Sequence, residues 1–241
     1  MNFVFASPFK QATIVLVISL ATVLHASDHT ASRHAKINPR DRLTYIWINP
    51  GSYLTGCGPD DKECIGWERP RHEIVIDKGF WIGQTEVTQA AFQHIMGSNP
   101  SRYKGSDRPT EQVDWFSATT YCKRVGMRLP TESEWEYAAL GGVQAPRYGD
   151  IDKIAWYDGN SSDMTHDVAQ KQPNPYGLFD MLGNVWELVQ DLCACDPHRR
   201  VMKGGSFYNI SRDIRVPDRE TPLDTLRHRN IGFRCVANSL R

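Results

Sequence analysis

Two short segments in the first half of the chain carry apolar residues at helical spacing. The segment that follows Thr88 has apolar side chains at positions 90, 91, 92, 95 and 96 and stops at Gly97. This arrangement predicts a short amphipathic helix with Thr88 as its N-terminal cap. A second helix is predicted from about Ser117 to Val125.

The strongest helix signal lies in the segment from Glu132 to Leu140. Thr131 precedes it and Glu134 follows three positions later, the spacing of a capping box in which each residue binds the other's backbone amide. Gly141 comes directly after the last helical position and favours a left-handed stop. The sequence therefore predicts a capped helix over residues 132–140.

Strand signals are short and scattered. Alternating apolar positions in His72 to Ile76, followed across Asp77-Lys78-Gly79 by Phe80 to Ile82, predict a hairpin. Further strands are predicted at Val201 to Lys203 and Ile231 to Val236. The chain also carries 18 Gly and 14 Pro, which favour turns. Few regular elements among many turn residues indicate a single, loop-rich α+β domain.

Composition narrows the classes of partner. The 28 basic and 28 acidic side chains balance to a formal charge of zero, so the chain as a whole does not attract nucleic acid or anionic lipid. Seven Trp, nine Tyr and nine Phe supply ample apolar area for a core. We therefore expect a folded protein with no nucleic-acid partner.

The N-terminal residues differ from the rest. Lys10 precedes an apolar run over residues 12–24, which as a helix would span about 20 Å, less than the roughly 30 Å hydrocarbon core of a bilayer. Residues 1–26 therefore predict a signal peptide cleaved after Ala26, with an uncleaved membrane anchor as the alternative. Residues 27–42 are expected to be a flexible lead-in. The mature chain would be periplasmic or secreted, with no stable membrane span.

Cysteine usage fits an exported chain. All six cysteines lie beyond the predicted leader, and an oxidising compartment favours their pairing. They are Cys57, Cys64, Cys122, Cys193, Cys195 and Cys235. Cys193 and Cys195 form a Cys-x-Cys pair that predicts a disulfide, either with each other or with Cys57 and Cys64. The alternative is a soft-metal or redox pair.

Five strings together resemble the sulfatase-modifying factor family, which includes the formylglycine-generating enzymes. They occur in the family's order, from about Leu43 to Ala237, and this range is the predicted domain. The resemblance implies a C-type-lectin-like fold with few regular elements. The strings are GQTEVT (83–88), RLPTESEWEYAA (128–139), GNVWE (183–187), RVMKGGSF (200–207) and IGFRC (231–235).

The resemblance also exposes a difference in the site of the family's best-known activity. Formylglycine-generating enzymes oxidise a sulfatase cysteine with molecular oxygen, using copper(I) bound by two cysteines shortly after the Gly-Gly-Ser string. Asn209 and Ile214 stand at those two positions here. Neither can supply the thiolate that copper(I) prefers. The chain is therefore not expected to make formylglycine by the usual route.

Other residues take roles implied by the resemblance. Asp180, Gly183, Val185 and Glu187 match a structural calcium loop, where two carboxylates and two backbone carbonyls would supply hard oxygen ligands. A turn with both acids solvated is the alternative. Cys122 and Cys235 match a family disulfide, expected to stabilise the fold by about 2 to 4 kcal/mol. Trp186 and Ser206 match residues that line the oxygen and substrate pocket.

Three functional hypotheses follow. The first is a non-catalytic or accessory envelope module that binds a protein, peptide or small ligand. The second is an oxygen-using oxidoreductase of the same family with a different metal centre, copper or iron, akin to the branch that matures siderophores. The third is formylglycine generation itself, which the missing thiols disfavour. An intact Cys193–Cys195 disulfide would favour the first hypothesis over a thiolate-bound metal.

Overall fold

The structure is a computed structural model that describes residues 34–56, 62–68 and 70–240, together with Met1. The chain divides into two compact units, Met1–Ala31 and Ser32–Arg241, and the second contains every helix and strand described here. Apart from Met1, the predicted signal peptide lies outside the described residues. None of the helices that the structure describes is long and apolar enough to span a membrane.

Among the described residues of the second unit, ten strands, four α-helices and two 3-10 turns (Gly66–Glu68 and Ser211–Asp213) make up the regular structure. The strands are β1 (Ala35–Ile37), β2 (Thr44–Ile48), β3 (Gly51–Thr55), β4 (His72–Ile76), β5 (Phe80–Gly83), β6 (Trp186–Cys193), β7 (Asp196–Lys203), β8 (Arg219–Glu220), β9 (Ile231–Gly232) and β10 (Val236–Ala237). The helices are α1 (Gln89–Met96), α2 (Trp115–Arg124), α3 (Glu132–Leu140) and α4 (Ile151–Ile154). Long irregular segments connect these elements, so the predicted loop-rich α+β fold class is confirmed.

The strands form three small sheets. The first has the order β1-β2-β5-β10, the second pairs β3 with β4, and the third has the order β8-β7-β6-β9. In the third sheet β6 and β7 run antiparallel, whereas β9 lies parallel to β6. The β6–β7 hairpin therefore carries the C-terminal part of the domain and the loop that follows Lys203.

The helix predictions are confirmed, because their signals are local. Thr88 caps α1 by accepting from the Ala91 amide, and Gly97 ends it in the left-handed conformation. Thr131 and Glu134 form the predicted capping box of α3. Helix α2 begins two residues earlier than predicted, since Asp114 accepts from the Ser117 amide and caps it.

Three strand and boundary predictions are wrong. β4 and β5 are adjacent in sequence but do not form a hairpin, because β4 pairs with β3 while the four buried residues of β5 lie between β2 and β10. The predicted strand from Ile231 to Val236 divides into β9 and β10, which belong to different sheets. The predicted flexible lead-in ends too late, since β1 within it pairs with β2.

Two apolar clusters form the core. One packs α3 against the first and third sheets and includes Trp135, Ile82, Val189 and Ile214. The other packs α1 and α2 against β6 and the C-terminal segment, and includes Phe92, Tyr121, Trp186 and Phe233. Residues of β6 contribute to both clusters, so the N-terminal half of this strand is packed on two sides. This packing positions the loop that follows β7.

Candidate functional site

The loop after β7 is held by close backbone contact against residues 180–185, which we call the 180s segment. Gly204 adopts φ 93° and its carbonyl accepts from the Gly183 amide at 2.9 Å. A Cβ at Gly204 would lie 2.8 Å from the Met181 carbonyl oxygen, closer than side chains tolerate. Glycine is therefore required here for both its positive φ and its lack of a side chain. This contact delivers Ser206 to a fixed place beside β6.

Ser206 and Trp186, the two predicted pocket residues, are joined through Asn230. The Asn230 side-chain amide donates to Ser206 Oγ at 3.1 Å, and the Asn230 carbonyl accepts from the Trp186 amide at 2.8 Å. Ser206 Oγ in turn donates to Asn209 Oδ1 at 2.6 Å. Both Ser206 and Trp186 are buried, so they lie beneath the surface and support it.

An aromatic and charged surface covers these residues, and we call it the Ser206 face. The Arg229 guanidinium lies 5.2 Å from the centre of the Tyr208 ring and donates to Tyr103 Oη at 2.6 Å and to Asp163 at 3.2 Å. Tyr208 and Ile210 are 57% and 54% exposed. The Ser206 face consists of Tyr103, Asp163, Tyr208, Ile210 and Arg229. It offers apolar contact beside an ion pair that has one largely exposed partner.

The two positions that match the family's copper ligands have other roles. Asn209 is hydrogen-bonded to Ser206 through its side chain. Ile214 is fully buried in the apolar cluster around Trp135, and its Cδ1 lies against Gly205. Residues 206–215 contain no cysteine. The loop therefore contains no thiolate that could bind copper(I).

Four cysteines outside this loop form two disulfides. Cys122 of α2 is bonded to Cys235, just before β10, and both are buried. Cys193 is bonded to Cys195 at the tip of the β6–β7 hairpin. Cys64 is also disulfide-bonded. Cys57 lies outside the described residues.

A buried cluster of charges lies where calcium is predicted. Arg234 donates to both carboxylate oxygens of Glu187, at 2.6 and 2.7 Å. Glu86 accepts from Asn184 Nδ2 at 2.9 Å and from the Val185 amide at 3.2 Å. Desolvation, with a smaller contribution from the nearby acids, raises the pKa of Glu86 well above its usual value. It raises the pKa of Asp180 to about 6. Three carboxyls therefore surround one guanidinium in a region without solvent.

Two observations test whether these residues fit a calcium ion. Asp180 Oδ1 is buried and has no hydrogen-bond partner among the described residues, as expected of an acceptor that could bind a cation. Both oxygens of Glu187, however, already accept from Arg234, and one also accepts from Trp135 Nε1. Calcium therefore stays a prediction. The oxygens that would bind calcium are those of the Asp180 carboxylate and the carbonyls of Gly183 and Val185.

Nowhere in the described part of the chain, this buried cluster included, are three or more His, Cys, Asp and Glu side chains placed so that together they could hold a metal ion. Sequence reasoning missed Glu86 and Arg234 as members of the buried cluster. Both lie inside strings used for the family resemblance, but nothing in their local pattern indicates burial. Their partners are distant in sequence, and only the fold brings them together.

Comparison with protein families gives one match across most of the chain. The model of the sulfatase-modifying factor enzyme 1-like domain matches residues 31–239. The formylglycine-generating enzyme of Streptomyces coelicolor is 33% identical over 65% of this chain and 60% of its own length. The inactive Cα-formylglycine-generating enzyme 2 of Bos taurus is 33% identical over 75% of this chain and 70% of its own length.

Other relatives are much longer than the match. The serine/threonine-protein kinase pkn1 of Chlamydia pneumoniae is 37% identical over 54% of this chain, and the match covers 24% of the kinase. In the corresponding kinase of Chlamydia caviae the match covers 40%. The chain therefore spans less than half the length of these chlamydial relatives.

Solved structures share the fold. Treponema denticola variable protein 1 superposes with a TM-score of 0.75 at 25% identity, covering 87% of this chain and 100% of that protein. PvdO from Pseudomonas aeruginosa gives a TM-score of 0.77 at 23% identity, covering 84% and 97%. The predicted fold is thus found in two proteins of similar extent.

Proposed function

Because the chain belongs to the sulfatase-modifying factor family, we propose that it is an accessory binding module of the cell envelope that has lost the family's copper-thiolate site. Membership alone does not decide between catalysis and binding, since one fold carries many sites. The proposal therefore depends on the residues at the site itself and on the predicted signal peptide.

The absence of a thiol from residues 206–215 is the observation that carries the proposal. Copper(I) is a soft ion that prefers sulfur ligands, and oxygen activation in the family needs one thiolate to exchange with substrate. Asn209 instead binds Ser206, and Ile214 fills part of the core. These two roles support the proposal that the loop does not hold a copper centre.

The paired state of Cys193 and Cys195 supports the same proposal. A disulfide cannot act as a pair of thiolate ligands, and these two residues are bonded to each other. The bovine relative named as inactive is also similar over three quarters of this chain. Relatives of comparable identity thus include one that is named as having no formylglycine-generating activity.

The Ser206 face is the proposed binding surface. Exposed Tyr208 and Ile210 would bury apolar area on contact, while Arg229 and Asp163 would orient a polar or charged group. A protein, a peptide or a small ligand with both an apolar and a charged part would suit this surface. The buried Ser206, Asn209 and Asn230 network would keep it pre-organised.

An oxygen-dependent oxidoreductase with copper or iron is the second candidate. It is favoured by the 33% identity to the Streptomyces coelicolor enzyme, which bears the name of an active family member. Under this candidate the metal would be held by other ligands, because Asn209 and Ile214 stand where the family's two copper-binding cysteines are expected.

Elemental analysis separates the two candidates. The mature chain is reconstituted anaerobically with copper(I) or iron(II), desalted, and assayed for bound metal and for oxygen uptake with a sulfatase-derived cysteine peptide. The Streptomyces coelicolor relative, treated identically, is the positive control. We expect neither stoichiometric metal nor oxygen uptake. Stoichiometric copper or iron that survives desalting, together with oxygen uptake, would overturn the binding-module proposal.

A further inference from the structure

The tip of the β6–β7 hairpin carries a disulfide that encloses one residue. Cys193 is the last residue of β6 and pairs across the hairpin with Asp196, the first residue of β7. Between them lie Ala194 and Cys195, and Cys195 bonds back to Cys193. The pairing register shifts on either side of Leu192, so the strands leave regular geometry just before the tip. The disulfide therefore lies at an irregular turn.

This disulfide differs from the other described pair in how much chain it constrains. Cys122 and Cys235 are separated by 113 positions, whereas Cys193 and Cys195 are separated by two. Cross-linking stabilises a fold mainly by restricting the unfolded chain, and the effect grows with the length of the closed loop. The hairpin disulfide thus contributes little to folding. We therefore expect this disulfide to matter for its reactivity and not for the stability of the fold.

The two sulfurs also have unequal environments. Cys195 is exposed, whereas Cys193 is only 9% exposed. The Cys195 amide donates a hydrogen bond to Cys193 Sγ at 3.2 Å. A donor at that sulfur stabilises negative charge on it, which makes Cys193 the better leaving group when Cys195 is attacked. Access and leaving-group stability therefore point to the same direction of attack.

We propose that the Cys193–Cys195 disulfide is an exchange site that oxidises cysteine thiols of polypeptides. A substrate thiolate attacks Cys195 Sγ, the Cys193–Cys195 bond breaks, and its electron pair leaves on Cys193 Sγ, which takes up a proton. A second substrate thiolate then attacks the substrate sulfur of the mixed disulfide. Cys195 Sγ leaves and takes up the second proton.

The reaction balances with the structure's own oxidant. Two substrate thiols lose two electrons and two protons and become one disulfide, while the Cys193–Cys195 disulfide gains them and becomes two thiols. Formation of one substrate disulfide per chain needs no other reagent. Repeated turnover needs an external disulfide oxidant such as glutathione disulfide.

Apolar side chains around the hairpin favour a polypeptide over a small thiol. We call this group the hairpin patch: Phe116, Leu192, Leu223 and Leu226, each between 44% and 50% exposed. Trp115 Nε1 donates to the Val189 carbonyl of β6, which holds the Phe116 segment against the hairpin. The Arg200 amide of β7 donates to the Pro222 carbonyl, which holds the Leu223 segment on the other strand. Exposed apolar patches mark interaction sites, and an incompletely folded chain would offer this one both apolar contact and free thiols.

Redox titration of the full mature chain gives the first test. The protein is equilibrated in glutathione buffers of graded composition, alkylated and mapped by mass spectrometry. We expect the Cys193–Cys195 pair to reduce and reoxidise reversibly while Cys122–Cys235 stays oxidised and the melting curve is nearly unchanged. If the hairpin pair stays oxidised until Cys122–Cys235 is reduced, or if its reduction unfolds the domain, the exchange proposal is overturned.

Thiol oxidation in a polypeptide gives the second test. Reduced, unfolded ribonuclease is mixed anaerobically with the oxidised chain, and we expect about one disulfide to form per chain, with turnover when glutathione disulfide is added. The double variant Cys193→Ser/Cys195→Ser should lose both. Cys193→Ser alone is first loaded at Cys195 as a mixed disulfide with glutathione and then mixed with a reduced peptide that carries one cysteine. The peptide thiolate should displace glutathione and stay bound to Cys195, because no second peptide thiol is present to release it. Cys195→Ser, loaded with glutathione at Cys193 in the same way, should exchange with the peptide more slowly. Exchange at Cys193 that is as fast as exchange at Cys195 would overturn the assigned direction of attack.

Variants of the hairpin patch separate the two sources of thiol. Phe116→Ser with Leu226→Ser should lower the rate with unfolded ribonuclease about tenfold, the loss expected for about 1.4 kcal/mol of contact. The same variant should leave the glutathione equilibrium unchanged. Equal rates for the variant and the unaltered chain with ribonuclease would overturn the assignment of polypeptide thiols as the substrate.

Discussion

Arg234 lies fully buried against Glu187, with two hydrogen bonds of 2.6 and 2.7 Å between the guanidinium and the carboxylate. The guanidinium also donates to the carbonyls of Gly83 and Phe179, at 3.0 Å each. It therefore joins the end of β5 to the 180s segment and the start of β6. The pair connects the first and third sheets through charge as well as through apolar packing.

Loss of Arg234 is expected to be more costly than loss of Glu187. Arg234→Met leaves Glu86, Asp180 and Glu187 without their cation and should lower the free energy of unfolding by about 3 to 5 kcal/mol. Glu187→Gln should cost less, because Arg234 keeps the two other acids nearby. Urea unfolding of both variants measures the difference. The exposed pair Lys153–Asp150 gives a control, since Lys153→Ala should cost under about 1 kcal/mol. The opposite order for the two buried variants would contradict this account of the cluster.

Calcium is expected to stabilise the domain through Asp180. Adding calcium after EDTA treatment should raise the melting temperature, with a gain of about 2.7 kcal/mol at a hundredfold excess over the dissociation constant. Asp180→Asn should abolish the gain, because the unpartnered Oδ1 loses its charge. Magnesium at the same concentration controls for ionic strength. A melting curve that neither EDTA nor calcium moves would remove calcium from the description of this site.

The long-range disulfide is expected to stabilise the fold far more than the hairpin disulfide. Replacing both Cys122 and Cys235 by Ser should lower the free energy of unfolding by about 2 to 4 kcal/mol, since the pair closes a loop of more than a hundred residues. The matched double variant at Cys193 and Cys195 should lose clearly less. Guanidinium unfolding of the two variants in parallel measures both losses. Equal losses would contradict the argument from loop length.

Helices could be predicted from the sequence, whereas strand partners could not. Helix α3 is specified by residues within one turn of its ends, such as Thr131 and Gly141, so local chemistry suffices. Strand β5 lies between β2 and β10, and all four of its residues are buried there. This pairing depends on segments that are distant in sequence. The short connection between β4 and β5 therefore led to the wrong prediction of a hairpin.

The candidate site shows the same division. The Gly-Gly-Ser string located Ser206, and the string around Gly183 located Trp186, because both are contiguous motifs. The hydrogen bond from Asn230 to Ser206 and the contact of Arg229 with Tyr208 join residues more than twenty positions apart. Neither contact has a local signature. The Ser206 face therefore became visible only in the folded chain.

Stability should depend on pH through Glu111. This residue is buried, its Oε1 accepts from the Tyr103 amide at 2.8 Å, and its Oε2 has no partner among the described residues. Desolvation raises the pKa of Glu111 to about 7 from the usual 4.5. Between pH 4.5 and 7 the folded chain therefore holds a proton that the unfolded chain has released, so the free energy of unfolding falls as pH rises through this window and levels off above it.

Glu111→Gln should flatten this slope, because the amide cannot ionise. Relative to the unaltered chain, the variant should gain on the order of 1 to 2 kcal/mol between pH 5 and pH 8, a value discounted for partial access of solvent to the carboxyl. Asp180 and Asp218, whose pKa values are raised to about 6, add slopes of the same sign in both proteins, so the measured quantity is the difference between the two curves. Thr110→Ser, a buried neighbour without a titratable group, should keep the original slope. Parallel curves for Glu111→Gln and the unaltered chain would mean that Glu111 is ionised in the folded protein at pH 5.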